Sequence, residues 1–363
     1  MLSIIIPTFN EGRNVCYITE RIMGVMAAEA FELIFVDDST DETPVLLEQL
    51  RQQYTRVSYI HREGENGLAT AVVAGFKAAR GDVLTVMDGD LQHPPELLPL
   101  LLNTINQGSD LAIPSRFIPG GSDGGLSPLR RVISKSARLL AWLALRKTRR
   151  TSDPMSGFFI CRKKVIEGIQ LNPVGWKILL EILVKGNHKN IREVPYRFDQ
   201  RTTSQSKMCL HQQLQFIRHL IKLVCSSPDD SRFWKFCLVG LSGVMVNLAV
   251  YVTLVNTAGV NVVLAGIISA FTAMFSNFLL NDQFTWKNKK SQPFYVRLAR
   301  FYIYCSLGIT LNALVLFLLY DRLGLDYLVS NLTGIIAATL WNFKSNSRWT
   351  WGEVSAELIS EDS

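Results

Sequence analysis

Residues 83–96 read Val-Leu-Thr-Val-Met-Asp-Gly-Asp-Leu-Gln-His-Pro-Pro-Glu. The apolar, β-prone run Val83–Met87 predicts a strand that delivers Asp88 and Asp90 to its end. Carboxylates two apart on an extended segment point to the same side, and Gly89 between them lets a ligand approach the backbone. Pro94, Pro95 and Glu96 mark a helix start, since prolines fill first-turn positions that need no amide donor. Two hard oxygen donors at a strand end suit Mg²⁺ or Mn²⁺ carrying a diphosphate, because such ions keep waters and take only one or two protein carboxylates. A lone Asp-x-Asp also suits an acidic turn, so the flanking chain has to decide.

Upstream, Ser3–Pro7 and Phe31–Val36 are two more apolar, β-branched runs. Segments with helical spacing lie at about 14–29, 43–53 and 67–79. Strands alternating with helices predict an α/β fold, a mostly parallel sheet flanked by helices. Such sheets bind ligands beyond the carboxyl ends of their strands. Strand one ends in Pro7-Thr8-Phe9-Asn10-Glu11, strand two in Asp37-Asp38-Ser39-Thr40-Asp41, and the later one in Asp88-Gly89-Asp90. Three acidic clusters there repel one another unless cations or ligand donors offset them. Only Gly12 follows the first strand, which weighs against the glycine-rich fingerprint of NAD or FAD binding. Asp37 and Asp38 also suit a turn and helix cap assisted by Ser39 and Thr40.

The 363-residue chain has a net charge of +7 concentrated in loops, which points to phosphate-rich or anionic-membrane partners rather than to nucleic acid. Its six cysteines (16, 161, 209, 225, 237 and 305) form no Cys-x-x-Cys pair, so neither a zinc site nor a disulfide framework is expected. The N-terminus opens on a strand without a basic-then-apolar leader, so the first domain is expected to stay in the cytoplasm.

The second half differs in kind. Residues 129–146 and 207–225 are amphipathic and basic, as helices lying in the headgroup zone are, although core-packed amphipathic helices read the same way. After Pro228-Asp229-Asp230 come four long apolar stretches, about 235–256, 260–281, 299–320 and 326–343, each near the length a spanning helix needs. The 282–300 connection carries Lys287, Lys289, Lys290, Arg297 and Arg300, whereas the 257–260 turn has no charge. Arg232 and Lys235 precede the first span, and Lys344 and Arg348 follow the fourth. Loop charge therefore predicts a multi-pass protein of the cell inner membrane with both termini cytoplasmic. The spans repeat at an offset of 65 residues: Phe236, Gly243, Asn247, Asn277, Phe278, Asn281, Thr285 and Trp286 recur as Phe301, Gly308, Asn312, Asn342, Phe343, Asn346, Thr350 and Trp351. Two helix hairpins duplicated in one orientation explain this. Asn247 and Asn312 are placed inside the bundle because amides are costly in lipid. The acidic tail, residues 353–363, is expected to be disordered.

With these pieces in order, the chain resembles a known family. Pro7-x-Phe9-Asn10-Glu11, Val36-Asp37-Asp38-Ser39-x-Asp41-x-Thr43, Asn66-Gly67-Leu68, Asp88 to Glu96 and Ser156-Gly157-Phe158-Phe159 are similar to motifs of the inverting family 2 glycosyltransferases with a GT-A fold. Within them, the likeness is to polyprenyl-phosphate sugar synthases of the dolichol-phosphate mannose synthase type, over residues 1–210. An interface segment at 207–230 and a domain at 231–352 that resembles the GtrA-type four-helix domain follow. The resemblance implies that Pro7, Phe9, Glu11, Val36 and Asp38 hold the nucleoside. It implies that Asp88, Asp90 and Gln92 hold the metal and diphosphate, with Gly89 beside them. Arg116, Arg130, Arg201 and Lys207 then handle phosphates. Thr8-Phe9 stands where the family often has Thr-Tyr, and Ser204 where the phosphate loop usually has Gly.

The reaction this implies is transfer of a hexose from a nucleotide sugar to polyprenyl phosphate, with GDP-mannose as first choice of donor and UDP-glucose next. A phosphomonoester, with a second pKa near 6, is largely dianionic at pH 7 and needs no dedicated base. His93, ahead of Pro94-Pro95, is then expected to be a structural hydrogen-bonding residue. A lipid-linked sugar translocase is the alternative, but a pure carrier has no reason to keep an intact acidic metal site. The Gln-x-x-Arg-Trp motif of processive polysaccharide synthases is absent.

Overall fold

A computed structural model describes residues 1–64, 67–122, 124, 128–197 and 210–352, the side chains of 129, 130, 210 and 211 excepted. The chain divides into two compact units between Ser227 and Pro228.

The first unit is built on seven strands: β1 Leu2–Thr8, β2 Phe31–Asp37, β3 Val57–His61, β4 Val83–Val86, β5 Leu111–Ser115, β6 Phe159–Arg162 and β7 Ile191–Pro195. Their order is β3-β2-β1-β4-β6-β5-β7. Every pairing is parallel except the two made by β6, which runs antiparallel between β4 and β5. The sheet is therefore mostly parallel, as expected. Every residue of β1 and β2 is buried, which is why these strands read as unbroken apolar runs: both faces of the sheet are covered. The order reverses about β1, with β2 on one side and β4 on the other. That switch point opens a crevice at the carboxyl ends of β1 and β4, where Pro7–Glu11 and Asp88–Asp90 emerge.

Helices α1 Gly12–Val25, α2 Thr43–Gln53, α3 Leu68–Ala78 and α4 Leu98–Asn106 connect the strands. Helix α1 ends earlier than its apolar spacing suggests, at Met26, whose N–H closes on the Ile22 carbonyl. One apolar core joins Ile4, Ile6, Phe35, Ile18 and Leu101, and a second, on the other face, joins Ile5, Val36, Val72, Leu84 and Ile182. Strands β3, β5, β6 and β7 carry no comparably long apolar run, and β7 interposes Arg192 and Glu193 between its apolar residues. Pairing partners make them strands.

Helices α5 Pro128–Ala144, α6 Ile178–Lys185 and α7 Leu210–Ser226 complete the first unit. Ala141, Leu145, Leu180, Val184, Phe216 and Leu220 form a separate small core among them. Their amphipathicity is thus used twice. Helix α5 turns Ala141 inward yet leaves Val132, Leu139 and Leu143 more than half exposed, and α7 turns Phe216 inward yet exposes Ile217 and Ile221. The core-packed reading of these helices holds for one face, and an apolar face is left over.

The second unit consists of α8 Pro228–Asn256, α9 Val262–Leu280, α10 Phe294–Leu316 and α11 Tyr327–Ser345. With their wider turns at the C-terminal ends, three segments, Pro228–Asn256, Val262–Thr285 and Phe294–Arg322, are long and apolar enough to cross a membrane. The fourth expected span does form a helix, α11. However, Asn331, Thr333, Asn342 and Lys344 make it more polar than the other three.

The 65-residue repeat is a structural one. Asn281–Thr285 and Asn346–Thr350 both widen into a π turn, and in each the threonine hydroxyl donates to the asparagine Oδ1, at 2.8 and 2.7 Å. A side chain at Gly243 would strike Asn277, and one at Gly308 would strike Asn342, so each hairpin seats an amide against a glycine. Asn312 packs on Gly334 inside its hairpin, and Asn312 and Asn247 are both half-buried. The repeat-related Trp286 and Trp351 stack face to face, 4.3 Å between centroids and 2° from parallel. The position after each turn's asparagine differs in kind. Asp282 accepts from Arg297 Nε (2.9 Å) and Nη2 (3.1 Å), from Trp351 Nε1 (2.9 Å) and pairs with Lys290 (2.9 Å), whereas its repeat partner is Ser347.

Candidate active site

A cavity of about 620 Å³ lies at the switch point of the sheet. Its floor is made by strand ends: Pro7, Phe9 and Glu11 after β1, Asp38 after β2, and Asp88, Gly89, Asp90 and Gln92 after β4. Arg116, Lys177 and Tyr196 line it as well, and Ser134 of α5 with Gln212, Gln213 and Phe216 of α7 supply a further wall. The residues expected at the sheet's carboxyl edge are therefore brought into one chamber. Val36 is the exception. Its side chain is fully buried in the core, against α3, and does not line the cavity.

The acidic turn after β4 is shaped by its own backbone. Leu91 has φ of +64°, a conformation costly for a leucine. It reverses the chain so that Asp90 and Gln92 both face the cavity, while Asp90 Oδ1 accepts the Gln92 N–H at 3.1 Å. Beneath them His93 is 4% exposed, and its Nδ1 accepts the Asp88 N–H at 3.4 Å. Its ring lies 5.3 Å from Phe158 and 6.1 Å from Tyr196. Burial lowers the His93 pKa, against the opposing pull of Asp88 and Asp90. Held this way, the buried imidazole supports the Asp88 backbone through Nδ1.

Gly157 sets where the Asp88 carboxylate sits. A Cβ at this position would come within 2.7 Å of Asp88 Oδ2. Gly157→Ala should push the carboxylate aside and lower kcat about a hundred-fold, because misplacements near 1 Å cost that much. Its thermal unfolding midpoint should stay within a few degrees of wild type. A variant with normal turnover would show that Asp88 need not hold this position.

Two ion pairs organise the flanks. Arg62 donates from Nε and Nη2 to the two oxygens of Asp38, at 2.7 and 2.6 Å, and the Gly67 N–H adds a third hydrogen bond at 3.1 Å. Asp37 is a different case. It is fully buried and spoken for by Thr8, Ser39 and His61, so it has a structural task. On the opposite flank, Arg116 donates to both oxygens of the buried Asp153, at 2.9 and 3.3 Å. Arg116 was expected from sequence, but its clamp was not. Arg62, Asp153, Lys177 and Tyr196 were also missed. Arg62 follows a strand with a weak sequence signal, and Lys177 sits in Gly175-Trp176-Lys177, which has no spacing rule behind it. Arg130 lies on α5 with its side chain outside the described residues, as do Asn66, Arg201, Lys207 and the tail from 353. Among the described residues no cluster of three or more His, Cys, Asp or Glu could hold a metal by itself.

With this geometry in place, comparison with known proteins is informative. Residues 3–169 match the glycosyl transferase family 2 profile, and residues 235–351 match the GtrA/DPMS transmembrane domain. A dolichol-phosphate mannosyltransferase of Pyrococcus furiosus is 39% identical over 351 residues, covering 96% of this chain and 99% of that protein. This chain belongs to the family 2 glycosyltransferases. Its likeness is to the dolichol-phosphate mannosyltransferase type, and it is an enzyme and a membrane protein. The Saccharomyces cerevisiae dolichol-phosphate mannosyltransferase is 38% identical across 61% of this chain and 86% of its own length. A polyprenol monophosphomannose synthase of Mycolicibacterium smegmatis is 35% identical across 56% of this chain and 80% of its own. The Pyrococcus furiosus protein thus matches this chain across both units, so their pairing is not peculiar to this sequence.

Proposed function

We propose that the enzyme transfers a hexose, with inversion, from a nucleotide sugar to a polyprenyl phosphate at the cytoplasmic face of the membrane. Mannose from GDP-mannose is the donor this reading favours, on the names of the relatives; glucose from UDP-glucose is the second choice. One observation supports the reading above others. A single cavity is bounded by strand-end acids on one side and, on the other, by α5 and α7, whose leftover apolar faces suit the headgroup zone of a bilayer.

Asp88, Asp90 and Gln92 would hold Mg²⁺ or Mn²⁺. Two carboxylates and an amide oxygen are hard donors and leave the remaining positions to water and phosphate, which fits such an ion. The ion supplies neutralisation of the diphosphate as it departs. Phe9, 44% exposed, offers a ring face for the nucleobase, with Glu11 and the Asp38–Arg62 pair beside it. An oxygen of the acceptor phosphate attacks C1 of the sugar, the C1–O bond to the diphosphate breaks, and its electron pair leaves with the nucleoside diphosphate. A dianionic phosphate releases no proton in this step, so the transfer needs cations to hold the acceptor and no dedicated base.

The purified enzyme, given short-chain polyprenyl phosphate, Mg²⁺ or Mn²⁺ and a panel of radiolabelled sugar nucleotides, should label the lipid from one donor well above the others. Chelation should stop the reaction and either ion should restore it. Transfer that survives exhaustive chelation would remove the role given to Asp88, Asp90 and Gln92.

A further inference from the structure

Lys177 immediately precedes α6 and reaches the cavity from behind the loop that carries Asp153 to Gly157. Its ammonium donates to the Met155 carbonyl at 2.7 Å and lies 4.8 Å from the centre of the Trp176 ring. Among the described residues no carboxylate lies within ion-pair distance of it. Arg116 differs, since Asp153 already answers its charge. Burial lowers the Lys177 pKa to about 8, with the Arg116 charge adding to the effect and the Asp153 and Asp88 charges opposing it. A carbonyl and an aromatic face satisfy the ammonium's hydrogen bonding, Asp153 and Asp88 act on it only from beyond ion-pair distance, and a half-buried cation lining a chamber has room for an anion of its own.

The surroundings indicate which anion. The nucleoside side of the cavity is built from the ends of β1 and β2. Lys177 belongs with the other wall: Gln215 of α7 lies against Gly175, and Phe216, Gln212 and Ser134 face the same chamber. A lipid whose chain lies along the outward apolar residues of α5 and α7 would present its phosphate on this wall.

We propose that Lys177 is the cation that receives the phosphate of the lipid acceptor. This rests on the transfer reaction proposed above and assigns one of its subsites. Lys177 takes no part in bond making: it holds the phosphomonoester while that group's oxygen bonds to C1 and the nucleoside diphosphate departs with the electron pair.

The test uses the full-length enzyme in detergent, with short-chain polyprenyl phosphate and nucleotide sugar varied in turn. Lys177→Met keeps an unbranched apolar stem and removes the charge. It should raise KM for polyprenyl phosphate roughly ten- to hundred-fold, the worth of one charged hydrogen bond, and leave KM for the nucleotide sugar within about twofold. Lys177→Arg should recover part of the acceptor KM. Lys177→Gln retains a donor for Met155 and should behave like the methionine variant, which covers the case in which the latter does not fold. An unchanged acceptor KM in a folded variant, or an equal rise in both constants, would overturn the assignment. If the wild-type enzyme labels no polyprenyl phosphate from any donor, the reaction itself is wrong, which is a different failure.

Discussion

Replacing Asp90 with alanine should lower sugar transfer about a thousand-fold or more, since neutralising a departing diphosphate is worth several kcal/mol and each 1.36 kcal/mol is tenfold. The structure explains why one side chain carries so much. Asp90 and Asp88 leave β4 on the cavity side, and Leu91 holds a left-handed conformation directly after them. A turn that keeps a leucine at φ +64° is maintained by its surroundings, and here the result is a fixed separation between two carboxylates and Gln92. Asp88→Asn should act similarly, because the amide preserves the shape above His93 but removes the charge. Initial rates with radiolabelled donor measure the effect, and thermal unfolding shows that the fold persists. Turnover within tenfold of wild type in either variant would sink the acidic site.

The second large effect belongs to the four-helix unit. Asp282 and Arg297 are both buried, at 5% and 6% exposure, and meet through two hydrogen bonds. Asp282→Ser installs the residue that the other repeat already has at position 347. It leaves Arg297 charged and desolvated, and deprives Trp351 Nε1 of its acceptor. Breaking a buried pair on one side costs about 3–5 kcal/mol, so the unit's unfolding transition in detergent should move sharply downward. Combining Asp282→Ser with Arg297→Met should recover much of the loss, since no orphaned charge then remains. Nucleotide-sugar binding, a property of the first unit, should be unaffected by either change. An unfolding transition unmoved by Asp282→Ser would mean that the cluster contributes nothing to stability.

Particular residues show how far the sequence could be read. Asp88-Gly89-Asp90 announced itself because strand, acids and helix start lie within fourteen consecutive residues. The duplicated hairpins were equally open to reading, because the repeat keeps Gly243 with Asn277 and Gly308 with Asn342, and a glycine facing an asparagine is a local packing rule written in spacing. Lys290 and Arg297 were legible only as loop cations that set orientation. That Asp282 draws both of them into one cluster depends on where α9 and α10 pass each other.

Order along the chain determined the alternation of strands and helices, the acids at the strand ends, the amphipathic helices and the twofold repeat, since each is a contact or a periodicity over a few residues. Only the tertiary structure decided that β6 turns antiparallel, that Val36 faces the core, that Arg116 is clamped by Asp153, and that Lys177 enters the chamber with no ion-pair partner among the described residues. Those facts join residues far apart in the chain, such as Arg116 with Asp153, 37 positions on, and with the wall at Tyr196, 80 positions on. No local pattern encodes such meetings; they follow from burying both faces of one sheet at once, which fixes partners that the chain itself keeps far apart.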